Sequence, residues 1–384
     1  MSTTETPYGL RDLISYFLRL GSLGFGGPVA LVGYMQRDLV DERGWISEKD
    51  FKEGLALAQL APGPLAAQLA IYLGWVHHGV LGGTLVALAF ILPSFLMVLG
   101  LSALYVEYGG LPWMRGAFYG VGAAVIAVIA RSAFKLARTT VGKDPLYMLL
   151  FAASALVTAW TESELVWLFV LCGVVAYFMR APRRGVLFSV AALPLGWLVT
   201  GQAEPATPET LWRIGWYFAE AGAFVFGSGL AIVPFLHGGV VNEFGWLTEQ
   251  QFLDAVAVAM ITPGPVVITV SFIGYLVAGP LGATIAAVGV FLPCYLLVVI
   301  PARYFQRAVH DPRVKTFVDG VTVAAAGAIA GAAFVLGRRA VFDGPTLLIA
   351  GVTLLIVTRV AARWEPLVIV AAGIAGLVLS SAAA

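Results

Sequence analysis

One run of residues occurs twice in this chain, about two hundred positions apart. Phe25-Gly26, Gly44-Trp45, Phe51 and Pro62-Gly63-Pro64 return as Phe226-Gly227, Gly245-Trp246, Phe252 and Pro263-Gly264-Pro265. The register then drops by one residue and holds through Gly74/Gly274, Gly79/Gly279, Gly82/Gly282, Thr84/Thr284, Pro93/Pro293, Gly120/Gly320, Phe134/Phe334 and Arg138/Arg338. Each copy sets helix-breaking glycines and prolines inside apolar segments, the pattern of a secondary transporter built from repeats. Two halves follow, residues 1–201 and 211–384, joined by a polar linker at 202–210 rich in Pro and Thr.

The chain is 60% hydrophobic and only 12% charged, well below the quarter of charged residues typical of soluble domains. Stretches such as 81–106 and 255–302 carry no charge, and each is long enough as helix to cross a hydrocarbon core of ~30 Å. The fold class is therefore an all-α polytopic membrane protein; a transmembrane barrel would show short alternating segments instead. A net charge of +1 without a basic tract points to no nucleic-acid partner. Cys172 and Cys294 lie in apolar stretches and read as small buried hydrophobes. His77, His78, His237 and His310 form no ligand-spaced set, so neither a metal nor a cofactor is expected. The polar start, Met1–Pro7, lacks the pattern of a cleaved signal.

Helices are expected near 8–34, broken at Gly24–Pro28, and 53–78, broken at Ala61–Pro64, then at 81–105, 114–137, 145–161, 164–180 and 186–201. The second copy repeats the order at 211–236, broken at Gly227–Gly229, and 252–279, broken at 263–265, then 281–302, 316–337, 345–359 and 366–382. Loop charge orients them. The first-copy loop carries Arg37, Arg43, Lys49 and Lys52, whereas its twin, His237–Leu253, carries no Lys or Arg. The bias reverses later: Glu107 and Arg115 face the twin set Arg303, Arg307, Arg313 and Lys315. Equivalent loops then lie on opposite sides, and the repeat is inverted. With both broken elements of each half treated as re-entrant, 36–52, 138–144, 180–185, 303–315 and 359–365 fall in the cytoplasm, and only Arg338-Arg339 is misplaced. Ordinary crossings would put Arg138 and Lys143 outside.

Non-helical backbone at membrane depth must be buried in protein or line a cavity. The four breaks contribute Gly26, Gly27, Pro62, Gly63, Pro64, Gly227, Ser228, Gly229, Pro263, Gly264 and Pro265. The second proline of each PGP suits the first turn of a new helix, so the amides of Leu65 to Ala67 and Val266 to Ile268 lack intrahelical acceptors. Several positive helix ends around one hollow would bind an anion, best a small tetrahedral oxyanion that offers only acceptors. Gln68 and its register mate Thr269, with Thr262 and Ser228, are the side-chain donors expected beside it. The bland alternative is that the breaks are packing kinks. Ionisable candidates for gating or electrostatic attraction are Arg131, Asp319 and Glu220; Glu53 and Asp254 are register mates at the start of the second hairpin. Trp45 and Trp246 read as interface anchors, and Gly327/Gly331 as a close-packing pair.

At these residues the chain resembles the chromate ion transporter family, in its long form with both halves fused. The likeness rests on FGGP (25–28), the Gly-Trp loop before an acidic helix start, APGP (61–64) and ILPSF (91–95). It extends to the second-copy forms FGSG (226–229), TPGP (262–265) and FLPC (291–294). The resemblance implies a secondary transporter of the inner membrane that exports chromate and confers chromate resistance, with sulfate as a look-alike substrate. Transport of sulfate or another oxyanion is the alternative, and a homodimer is compatible with everything above. A nucleophile–base pair or metal set for intramembrane catalysis is missing, so an enzyme is not expected.

Overall fold

The computed structural model describes residues 8–25, 27–108, 112–161, 166–180, 207–224, 232–302, 312–341, 343–360 and 364–382. Among the described residues all regular structure is helical. The helix expected at 186–201 lies outside them, as do Gly26, Gly227, Ser228 and Gly229.

The first half contains α1 (Leu10–Leu23), α2 (Gly27–Met35), α3 (Glu48–Leu60), α4 (Leu65–Tyr108), α5 (Pro112–Thr140), α6 (Pro145–Thr161) and α7 (Val166–Arg180). The second repeats it as α8 (Pro208–Phe224), α9 (Ile232–His237), α10 (Glu249–Ile261), α11 (Thr269–Ala302), α12 (Pro312–Ala340), α13 (Gly344–Arg359) and α14 (Glu365–Ala382). Both α2 and α9 run on into a π turn, Gln36–Glu42 and Gly238–Glu243. The hairpin helices begin about four residues earlier than hydrophobicity alone suggests. Ser47 and Thr248 cap them, accepting from the amides of Asp50 at 3.0 Å and Gln251 at 3.2 Å. A capped polar first turn is helical without being apolar.

Among the described residues four helical stretches are long and apolar enough to cross a membrane: Leu65–Tyr108, Gly116–Arg138, Val266–Ala302 and Lys315–Ala340. The elements that precede the PGP turns are not. Helices α1, α2 and α3 have 14, 9 and 13 residues, or about 21 Å at most for a rise of 1.5 Å per residue.

Helix α4 is itself two helices. Gly79 has φ 60° and ψ −155°, and Gly279 in α11 repeats this with φ 63° and ψ −155°. No side-chain-bearing residue adopts that conformation cheaply, which is why both copies keep glycine there. The chain reverses so tightly that a Cβ on Gly74 would stand 2.6 Å from the Gly82 carbonyl oxygen, and one on Gly274 would strike Gly282 in the same way. The repeated Gly74-Gly79-Gly82 spacing is thus a hairpin of backbone against backbone.

Beyond the reversal, each long helix has two distinct sides. Leu81, Leu88, Leu92 and Leu96 are exposed on α4, and their counterparts Leu281, Val288, Leu292 and Leu296 are exposed on α11. Spacings of seven, four and four residues make one apolar stripe for lipid. Val86, Phe90, Ser94 and Val98 line the buried side, matched by Ala286, Val290, Cys294 and Val298. Against it, α1 and α8 pack closely: a Cβ on Gly21 would strike the Phe90 carbonyl, and one on Gly222 the Val290 carbonyl.

The halves exchange partners. Helix α5 packs on α13 and α14 of the second half, while α12 packs on α6 and α7 of the first. Glycines set these approaches: Gly327 meets the Phe151 carbonyl and Gly331 the Ala155 carbonyl, as the small-residue spacing implies. Trp45 and Trp246 are half-buried clamps. Trp45 stacks on Tyr8 at 5.1 Å with the Arg43 guanidinium 4.5 Å above it, and Trp246 stacks on Phe244 at 4.5 Å.

Gly74→Val should abolish the monodisperse detergent-solubilised species, because the clash is with backbone that has nowhere to move. Gly33→Ala, where an added Cβ meets open space, should elute like wild type in the same size-exclusion comparison.

Candidate functional site: the two PGP turns

Each PGP turn ends one short helix and starts another. In the first half the Ala61 amide still donates to Leu57 at 2.8 Å, Gly63 takes φ 136°, and the next helical bond is from Gln68 N–H to the Pro64 carbonyl at 3.0 Å. The amides of Leu65, Ala66 and Ala67 therefore stand ahead of the ladder. In the second half Thr262 N–H donates to Val258 at 3.2 Å and Gly264 takes φ 99°. There the new helix opens with a 3-10 turn, Val266–Ile268, and Ile268 N–H donates to Pro265 at 3.0 Å. Ile268 is thus excluded from the exposed donors, and only Val266 and Val267 remain. Both prolines also sit one place earlier than the first turn. Pro265 is the extended cap, with φ −74° and ψ 122°, and Pro64 supplies the first accepting carbonyl.

The turns are lodged in the opposite half. A Cβ on Gly63 would stand 2.9 Å from Cys294 Sγ of α11, and one on Gly264 would strike Ser94 Oγ of α4. Cys294 and Ser94 are register mates, so the two contacts are the same contact made twice. Ser94 Oγ in turn donates to the Gly21 carbonyl at 3.3 Å. Gly264 N–H donates to the Gly24 carbonyl at 2.9 Å, which ties the second PGP turn directly to the Gly24–Pro28 break of the first half. Gly27, at φ 73°, lies just beyond that bond.

The side chains expected to donate are largely committed. Gln68 is fully buried, and its Nε2 donates to the Pro62 carbonyl at 2.6 Å, bracing the turn from inside. Its Oε1 has no partner. Thr262 donates its hydroxyl to Val258 at 2.6 Å and Thr269 to Val266 at 2.8 Å. What remains for an anion is backbone N–H together with the second N–H of the Gln68 carboxamide. One further donor escaped the sequence reading: Ser271 Oγ, buried two residues past Thr269, makes no hydrogen bond. Its counterpart by register is Ala70, so the repeat comparison carried no signal for it.

The ionisable candidates sit elsewhere. Arg131, half-buried on α5, is ion-paired with Glu365 at the start of α14. Its charge is therefore neutralised and braces two halves rather than standing open as an anion lure. Asp319 and Glu220 are half-buried on α12 and α8. No hydrogen bond or ion pair joins Arg131, Asp319 or Glu220 to either PGP turn among the described residues. Nor do three metal-ligating side chains gather anywhere among them.

Removing Arg131 leaves a half-buried carboxylate without its ion-pair partner, so Arg131→Ala should lower stability by roughly 2 kcal/mol. Adding Glu365→Gln should restore most of the loss, read as thermal unfolding in detergent.

A family model described as "Chromate transporter" matches the chain twice, over residues 11–177 and 212–377. A "Chromate transport protein" of Cupriavidus metallidurans is 58% identical over 98% of this chain and 94% of its own length. A "Probable chromate transport protein" of Synechococcus elongatus is 57% identical over 97% of this chain and 96% of its own. A "Chromate transport protein" of Pseudomonas aeruginosa is 33% identical over 85% of this chain and 82% of its own. No solved structure matches the chain.

Proposed function

The chain belongs to the chromate transporter family, and we propose that it is a secondary transporter of the inner membrane that exports chromate from the cytoplasm and thereby confers resistance to it. The observation that carries this reading is the seating of both PGP turns in the opposite half, with unspent helix-start amides in each. A tetrahedral dianion asks only for donors, and backbone amides supply them without a fixed positive charge that would hold the ion too tightly to release. Outward movement needs no nucleotide. Across an inside-negative membrane it gains ~2.3 kcal/mol per charge per 100 mV, and two charges double that.

The proposed path of the chain is a pair of re-entrant hairpins in inverted halves. Helices α3 and α10 are too short to cross, and Gly79 and Gly279 send the returning arms back before the crossing helices begin. The two arginines that contradict the charge bias differ in their surroundings. Arg339 is ion-paired with Glu249 and lies 3.2 Å from His237 Nε2, while Arg338 lies 6.0 Å over the Phe334 ring. Arg338 keeps its charge and remains the exception to the inside-positive bias. Both native cysteines are buried, so single cysteines placed at Asp41 and Glu243 can be read against a silent background. They should label from opposite faces of oriented vesicles; labelling from one face would refute the inversion.

Chromate and sulfate share shape and charge, so a site of amides should admit both to some degree. Inside-out vesicles should accumulate chromate saturably, with sulfate competing. Accumulation no greater than in vesicles lacking the protein, or found only in right-side-out vesicles, would overturn the export reading. Gln68→Thr, which borrows the second-half residue, should fold but loosen the first turn and slow transport about tenfold, the equivalent of one lost hydrogen bond.

A further inference from the structure

The two hairpins differ at one pair of register mates. Glu53 on α3 is partly exposed and lies 3.9 Å from Lys49 one turn away. Asp254 on α10 is only 3% exposed. Its Oδ2 accepts from Tyr105 of α4 at 2.7 Å and its Oδ1 from Gln250 at 2.8 Å. Tyr105 itself is walled in by Phe118 of α5 at 5.5 Å and Phe272 of α11 at 5.1 Å. The carboxyl therefore lies between the second-half hairpin and the first-half crossing helix, about two helical turns before Thr262.

Among the described residues Asp254 forms no ion pair with a cation; its partners are Tyr105 and Gln250 alone. Of the elements packed against α10, α11 carries no charged side chain, and α4 carries, besides the tyrosine, His77, His78 and Glu107. Of the charges of α5, Arg115 precedes Phe118 by about one turn in sequence, Arg131 is held by Glu365 of α14, and Lys135 and Arg138 follow one and two turns beyond Arg131. Glu249, at the start of α10, is held by Arg339 and His237, and Glu243 of the preceding π turn is exposed. Loss of water without a compensating cation disfavours a lone carboxylate and favours the neutral acid. The same two neighbours serve either form: an ionised Asp254 accepts from both, and a protonated one turns Oδ2–H toward Tyr105 Oη while still accepting from Gln250.

We propose that Asp254 is a proton-binding site at the interface between the halves, and that its protonation and oxyanion binding at the neighbouring PGP turn favour each other. A negative charge on this hairpin opposes a dianion at its tip, and removing it by protonation lifts that opposition. Linkage makes the effect reciprocal, so anion binding draws in the proton. The second half of this proposal rests on the oxyanion reading above; the first does not.

The experiment is an infrared titration of the purified full chain in lipid, wild type against Asp254→Asn, from about pH 8 to about pH 5, where buried carboxyls titrate. Binding of radiolabelled sulfate, which stays a dianion over that range, is measured on the same samples. Wild type should gain a carboxylic-acid C=O band that the Asn variant lacks, and its sulfate affinity should tighten about tenfold as the pH falls. The Asn variant should bind sulfate at the tight level throughout. Tyr105→Phe, which leaves the acid in place, should keep the band and move its frequency and midpoint, so it serves even where Asp254→Asn folds poorly. Absence of any band sensitive to Asp254→Asn or Tyr105→Phe overturns the proton site, and an unchanged pH dependence of sulfate affinity in Asp254→Asn overturns the coupling. A band that depends on Asp254, with neither sulfate nor chromate bound, supports the proton site and counts instead against the oxyanion reading.

Discussion

Unsatisfied backbone cannot be left against lipid, and the architecture of this protein answers to that requirement at the PGP turns. Each turn frees several amides and takes a conformation closed to residues with side chains. Such a segment survives only where protein surrounds it, and the surrounding protein is the other half. Gly63 needs Cys294 beside it; Gly264 needs Ser94 and the Gly24 carbonyl. In this chain each break is therefore covered in part by the other half.

The same dependence explains the exchange of helices. Helix α5 packs on α13 and α14, and α12 packs on α6 and α7, which interlocks the halves through contacts that glycine brings to backbone distance. In lipid there is little hydrophobic drive between helices, so close approach supplies the attraction. Where the first half departs from the glycine pattern, at Arg131 opposite Gly331 in register, an ion pair with Glu365 takes the place of close packing. The departures from symmetry are thus as informative as the symmetry: Arg131 with Glu365, Asp254 with Tyr105, and Arg339 with Glu249 all occur once.

Much of the fold was legible in the residues. The breaks at 61–64, 78–81 and 263–265, and the bounds of α6, α13 and α14, follow from proline, glycine and the length of apolar runs. Of the candidate site, the positions of the backbone turns were legible and the side-chain commitments were not. Gln68, Thr262 and Thr269 stand where the register put them, yet both threonine hydroxyls and one Gln68 N–H are spent on Val258, Val266 and Pro62. A side chain near a helix break satisfies the nearest orphan carbonyl first, and no spacing rule reveals which carbonyl that will be. Ser271 was missed for the complementary reason, since it has no counterpart in the first copy.

From its residues alone the chain determined that it is helical, that it crosses a membrane, that it is duplicated, and where its helices must break; these follow from apolar length and from the forbidden geometry of proline and the permissive geometry of glycine. Which broken end meets which half, and which charges cancel, only the tertiary structure decided. Those are contacts between residues about two hundred positions apart, and they are set by close packing in three dimensions rather than by any local preference of the chain.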